Sequence, residues 1–140
     1  DSITYQHLID TMKKYHPHLV IVNFKHPDAA GHGNNWLEYI KQTEKIDKYV
    51  GDLWNYLQSD DTYEGTTTLF VTNDHGRHLD GVADGFVSHG DYCMGCRHLF
   101  LLGICPDFKK YNDKERCALC SQLVQQAQDE RKREGILIPL

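Results

Sequence analysis

Two carboxylate–imidazole pairs and one further histidine are the residues of this chain best suited to chemistry. They are Asp28 and His32 in D-A-A-G-H, Asp74 and His75 in T-N-D-H-G-R, and His89 in V-S-H-G-D. Carboxylate oxygen and neutral imidazole nitrogen are the ligand types expected for zinc or a similar first-row divalent ion. Any one of these residues alone reads better as a turn cap or a surface histidine. Two pairs at equivalent strand ends, with a third histidine in the following loop, form a pattern. The composition agrees: nine histidines and 20 acidic residues stand against 15 lysines and arginines, for a formal charge of −5. Such a balance leaves no footprint for nucleic acid or an anionic membrane, and no apolar run approaches the ~20 residues of a membrane span.

The elements that must position these residues follow from periodicity. Ser2 is placed to cap a first helix, in which Tyr5, Leu8, Ile9 and Met12 recur at helical spacing and which Pro17 stops. Leu19 to Phe24 is apolar on both faces, the pattern of a strand buried inside a parallel sheet. The stretch FKHPDAAGHGNN reads as a loop. Asn35, with Glu38 three residues on, predicts a capped helix running to about Gln58, with Trp36, Ile40, Ile46, Val50, Leu53, Trp54 and Leu57 as its apolar stripe. TTTLFVTN and HLFLLGI read as further strands, separated by a long aperiodic stretch from Asp74 to Arg97, and Asp113 to Glu134 reads as a charged helix. This order predicts an α/β fold with a mainly parallel sheet and helices on both faces. In such sheets ligands gather outside the carboxyl ends of the strands, where both Asp/His pairs stand.

With these residues in place the chain resembles the alkaline phosphatase superfamily of phosphatases, nucleotide phosphodiesterases, sulfatases and cofactor-independent phosphoglycerate mutases. The resemblance runs from about Leu19 to Lys110: a strand into DAAGH, a helix with Asp47 and Val50 in its middle, TTTLFVTNDHGR, and HGD before HLFLLGI. It implies a site of two divalent ions, zinc or manganese. Asp28, His32 and His89 would hold one, and Asp74 with His75 would help hold the other. It also implies metal-dependent hydrolysis of a phosphate or sulfate ester, on a small-molecule, lipid or glycan substrate. Paired ions suit that reaction because they clamp the attacking and leaving oxygens of an in-line displacement.

The family's nucleophile, and a further metal-binding Asp, come from strands upstream of this region, and nothing here matches them. Ser2 and Thr4 precede or open a helix, the Thr66–Thr68 run lies within a predicted strand, and Ser88 is not where the family places its nucleophile. The chain, which starts at Asp1, is therefore expected to be one domain forming the carboxyl-terminal portion of a larger hydrolase. It would supply metal ligands but be inactive alone. Arg77 and His78, directly after the second pair, are expected in a solvated loop, and Lys25 is a lesser candidate for screening a phosphate.

The five cysteines cannot all pair. Cys93/Cys96 and Cys117/Cys120 are two C-x-x-C pairs, and the competing reading is a binding or interaction module stabilised by zinc on those four thiolates. Against it, a strand separates the pairs, and cysteine often packs as a small hydrophobe.

Overall fold

The computed structural model describes residues 1–106. In chain order these form helix α1 (Ser2–Tyr15), short helix α2 (His26–His32), helix α3 (Trp36–Leu57), strand β1 (Leu69–Thr72), a 3₁₀ turn (Gly85–Val87) and strand β2 (Leu101–Ile104). None of the described helices is long and apolar enough to cross a membrane. The helix expected over Asp113 to Glu134, and Cys117 and Cys120, lie outside the described residues.

The core is the seam between α1 and α3. Leu8 and Met12 from α1 meet Leu53 and Leu57 from α3, with Tyr63 closing one end and Tyr5, Ile9, Trp54, Tyr56 and Leu69 packed around them. The helical periodicity thus becomes a buried stripe at Leu8 and Met12 and at Leu53 and Leu57, while Trp36 and Ile40 at the start of α3 stay exposed. Ser2 opens α1 instead of capping it. Asp1 takes the cap position, and its carboxylate accepts from the backbone N–H groups of Lys25 and His26 at 3.1 and 2.9 Å, tying the start of α1 to the start of α2. The Asn35 cap forms as expected, its side-chain oxygen accepting from the Glu38 N–H at 3.0 Å.

Three expectations about the scaffold change. The stretch around DAAGH is not all loop: His26–His32 is helical, with Pro27 in its first turn, where a missing N–H costs nothing. Asp28 and His32 are therefore neighbours on one helix face at i, i+4. Leu19 to Phe24 forms no regular element and pairs with no strand among the described residues, and Ile21 is 89% exposed. The run and β1 instead line the same cleft of about 1230 Å³, together with parts of α1 and α3. Finally, β1 and β2 pair antiparallel, Leu69 opposite Ile104 and Thr72 opposite Leu101. The α/β character stands, with three helices and a two-stranded antiparallel sheet among the described residues.

Candidate metal centre

The end of β1 carries the second Asp/His pair, and Asn73 fixes it there. Its side-chain amide donates to the carbonyls of His75 (2.9 Å) and His98 (3.0 Å), while its oxygen accepts from the Phe100 N–H (2.9 Å). This one side chain staples the turn after β1 to the approach of β2. From that turn His75 faces α2.

Asp28 Oδ1 is the common neighbour of the cluster. It lies 3.2 Å from His89 Nε2, 3.5 Å from His32 Nε2 and 3.9 Å from His75 Nε2. Ligand atoms of Asp28, His75 and His89 all fall within 4.8 Å of one another. His32 Nε2 is 3.1 Å from His89 Nε2, and the His75 and His89 rings stack with centroids 3.6 Å apart. Asp74 stands further out. It is 74% exposed in its side chain, and its Oδ1 accepts from the His75 N–H while lying 3.6 Å from His75 Nε2. Four of the five expected residues thus converge around one carboxylate, and the fifth touches the group only through His75.

Burial, and next the neighbouring His75 ring, hold the His89 imidazole below the ordinary histidine range, against the opposing pull of the Asp28 carboxylate. His89 is thereby favoured as the neutral ring, the form that offers a lone pair. Nitrogens facing nitrogens around a single anionic oxygen are a poor hydrogen-bonding arrangement but a good ligand set, since every atom in it prefers a cation as its neighbour.

Arg77 organises the cluster, a role its sequence position did not reveal. The expected solvated loop is corrected here: the Arg77 side chain is only 9% exposed. One terminal nitrogen donates to the Asp28 carbonyl at 2.7 Å and also to the Asp28 carboxylate, and the other donates to the carbonyls of Phe86 and Val87 at 3.0 and 3.1 Å. The guanidinium lies over the Tyr39 and Phe86 rings and passes so close to Gly31 that a Cβ there would sit well inside 3.0 Å of it. A glycine in D-A-A-G-H, three residues after an Asp, was the available signal. The backbone N–H groups of Lys25 and His26 bond the Asp1 carboxylate, and His26 Nδ1 lies 3.7 Å from the same carboxylate, so the His26 ring belongs to the start of α2 and not to the cluster.

Residues 3–89 match a family model described as the Metalloenzyme superfamily. A 2,3-bisphosphoglycerate-independent phosphoglycerate mutase from Gracilaria tenuistipitata var. liui is 31% identical over 68 residues, which make up 49% of this chain and 12% of that protein. The chain thus corresponds to a small part of that relative's length. No solved structure matches. More than half of the chain lies inside the family model, and so do Asp28, His32, Asp74, His75 and His89. The chain belongs to the metalloenzyme superfamily, the alkaline-phosphatase-like group.

Proposed function

We propose that this chain supplies the Asp/His metal ligands of an enzyme that acts on phosphate or sulfate esters, with the nucleophile contributed from outside these 140 residues. The observation that carries the reading is the convergence of the Asp28, His75 and His89 ligand atoms within 4.8 Å, with His32 at its edge. The phosphoglycerate mutase likeness favours phosphoryl chemistry over sulfate chemistry.

In this reading Asp28 gives the anionic oxygen, and His32, His75 and His89 give neutral nitrogens. Asp28, His32 and His89 serve one ion, and Asp74 and His75 serve the other, with zinc or manganese as the metals. A divalent ion held there supplies Lewis-acid polarisation of an ester oxygen. Arg77 acts on position, not on the ester. Both of its terminal nitrogens are engaged by Asp28, Phe86 and Val87, so it orients the carboxylate before any ligand arrives. The parallel sheet belongs to the same reading. Leu19–Phe24, apolar on both faces and lining one cleft with β1, becomes a buried strand in the complete enzyme.

The test is binding and turnover measured side by side. Manganese is used because thiolates bind it poorly. Calorimetry should show about one ion per chain, lost in His32→Ala, with no hydrolysis of an aryl phosphate, an aryl phosphodiester or an aryl sulfate. A three-ligand protein set is enough to hold one ion, whereas loss of a nucleophile removes most of the rate. Absence of binding sinks the ligand assignment. Metal-dependent turnover that both His32→Ala and Asp74→Ala abolish sinks the external nucleophile.

A further inference from the structure

The long segment between β1 and β2 buries few apolar side chains, although Phe86 packs edge-on against Trp36 and Tyr39. From Asn73 to His98 the 3₁₀ turn is its one helical or strand element, and its buried side chains are His78 and Cys96. These two belong to a second cluster, apart from Asp28 and His89. A ring nitrogen of His78, a carboxylate oxygen of Asp91 and the sulfurs of Cys93 and Cys96 all lie within 4.8 Å of one another. We propose that His78, Asp91, Cys93 and Cys96 form a structural site for a zinc-class ion. It is independent of the Asp28 cluster and does not rest on the function proposed above.

His78 is the decisive residue. Its side chain is 6% exposed. At Nδ1 it meets Asp84 Oδ1 at 3.2 Å and Ser88 Oγ at 3.3 Å. A carboxylate can only accept, so Nδ1 carries a proton, and in the neutral ring Nε2 is left with its lone pair. A metal-binding histidine is held in this way, its other N–H donated to a carboxylate. Nε2 is buried and makes no hydrogen bond, although Asp91 Oδ2 lies only 3.3 Å away. A lone pair facing a carboxylate oxygen in a buried position is unfavourable unless a cation sits between them.

The other donors are prepared in the same sense. Asp91 Oδ1 accepts from the Cys93 N–H at 2.9 Å, which fixes the carboxylate beside the C-x-x-C turn. The Cys96 N–H donates to Cys93 Sγ at 3.4 Å, so the C-x-x-C turn already directs an amide at the first sulfur. Tetrahedral zinc with ligands at about 2.0–2.3 Å needs donors roughly 3.3–3.8 Å apart, so the cluster need contract by little more than 1 Å. The family match ends at residue 89, so Asp91, Cys93 and Cys96 lie outside it. Such an ion would fix a segment that carries Arg77 and His89, and hence would brace the first cluster.

Cobalt is the probe, because Co²⁺ bound by thiolate shows a sulfur-to-metal charge-transfer band that nitrogen and oxygen ligands do not give. The reduced 140-residue chain titrated with Co²⁺ should show the band with the intensity of two thiolates, together with the visible bands of tetrahedral cobalt. It should vanish in Cys93→Ser and in Cys96→Ser, weaken in His78→Gln, and persist in Asp28→Asn and in Cys117→Ser/Cys120→Ser. The unsubstituted chain reads the outcome even if a variant fails to fold. A band of four-thiolate intensity, or one lost in Cys117→Ser/Cys120→Ser, overturns the site in favour of the four-cysteine arrangement. No thiolate band at all overturns it in favour of a His78 imidazolium held between Asp84 and Asp91.

Discussion

Gly76→Ala should be the most damaging single-methyl change in the described part of the molecule. A Cβ on Gly76 would lie well inside 3.0 Å of the Gly95 carbonyl, and one on Gly95 would crowd the Arg77 carbonyl just as closely. The two glycines form a seam in which the turn after β1 presses directly on the C-x-x-C turn, closed by a bond from the Gly76 N–H to the Cys96 carbonyl at 2.8 Å. Because the obstructing atoms are main chain, no rotamer relieves the overlap, and the cost should exceed the usual 1–3 kcal/mol of overpacking, at about 3 kcal/mol or more. That corresponds to a fall of about 10 °C or more in Tm for a domain of this size. Gly51→Ala is the control. Gly51 lies inside α3 with nothing within 4 Å of a new Cβ, so alanine there should stabilise by roughly 0.5–1 kcal/mol. If Gly76→Ala melts with the unsubstituted chain, the seam does not exist in solution.

Asp28→Asn should cost about a hundredfold or more in manganese affinity while leaving the chain folded. The substitution keeps shape but removes the anionic oxygen on which three imidazoles and Arg77 converge. Losing even an outer partner of a metal site typically costs 10–100-fold, and a charged ligand should cost at least the upper end. Folding should survive because Arg77 also bonds the Asp28 main-chain carbonyl at 2.7 Å, and the Phe86 and Val87 carbonyls on its other side. Calorimetry with manganese, beside circular dichroism of the same samples, checks both halves. Retained affinity would place the ion elsewhere, and a lost fold would make Asp28 structural first.

What could be read in the residues alone divides by the range of the interaction responsible. Helices α1 and α3 and the Asn35 cap are local and stand as expected because a helix is specified within one or two turns, whereas the α3 stripe is buried only at Leu53 and Leu57, with Trp36 and Ile40 exposed. Helix α2 was obscured by its own letters. Proline and glycine suggest a loop, yet Pro27 falls in the first turn, where it is tolerated, and Gly31 lies where Arg77 needs room. Strand pairing is a property of partners, so the continuous apolar run in Leu19–Phe24 shows what that segment would bury but not what it lies beside. Of the five Asp/His residues singled out by type and spacing, Asp28, His32, His75 and His89 gather around one carboxylate, and Asp74 stands further out. Arg77 and His78 were not, because burial of a charged or polar side chain inside an irregular segment leaves no periodic trace. Cys93 and Cys96 were noticed as a pair, but their closest metal-binding neighbours among the described residues, His78 and Asp91, have no fixed spacing that would mark them in advance.

The exposed course of Leu19 to Val22 also bears on how the chain behaves at high concentration. A segment with side chains such as Ile21 open to water, and with main-chain donors and acceptors unmatched by any strand among the described residues, is a template for pairing with an identical segment. The six residues Leu19–Phe24, five of them apolar, three β-branched and none charged, match the minimal length of a steric zipper, and the nearest charge on the carboxyl side is Lys25. Lys25 serves as a gatekeeper, and raising ionic strength screens its charge. The isolated chain should therefore stay dispersed best in dilute, low-salt solution and cluster first when salt is added.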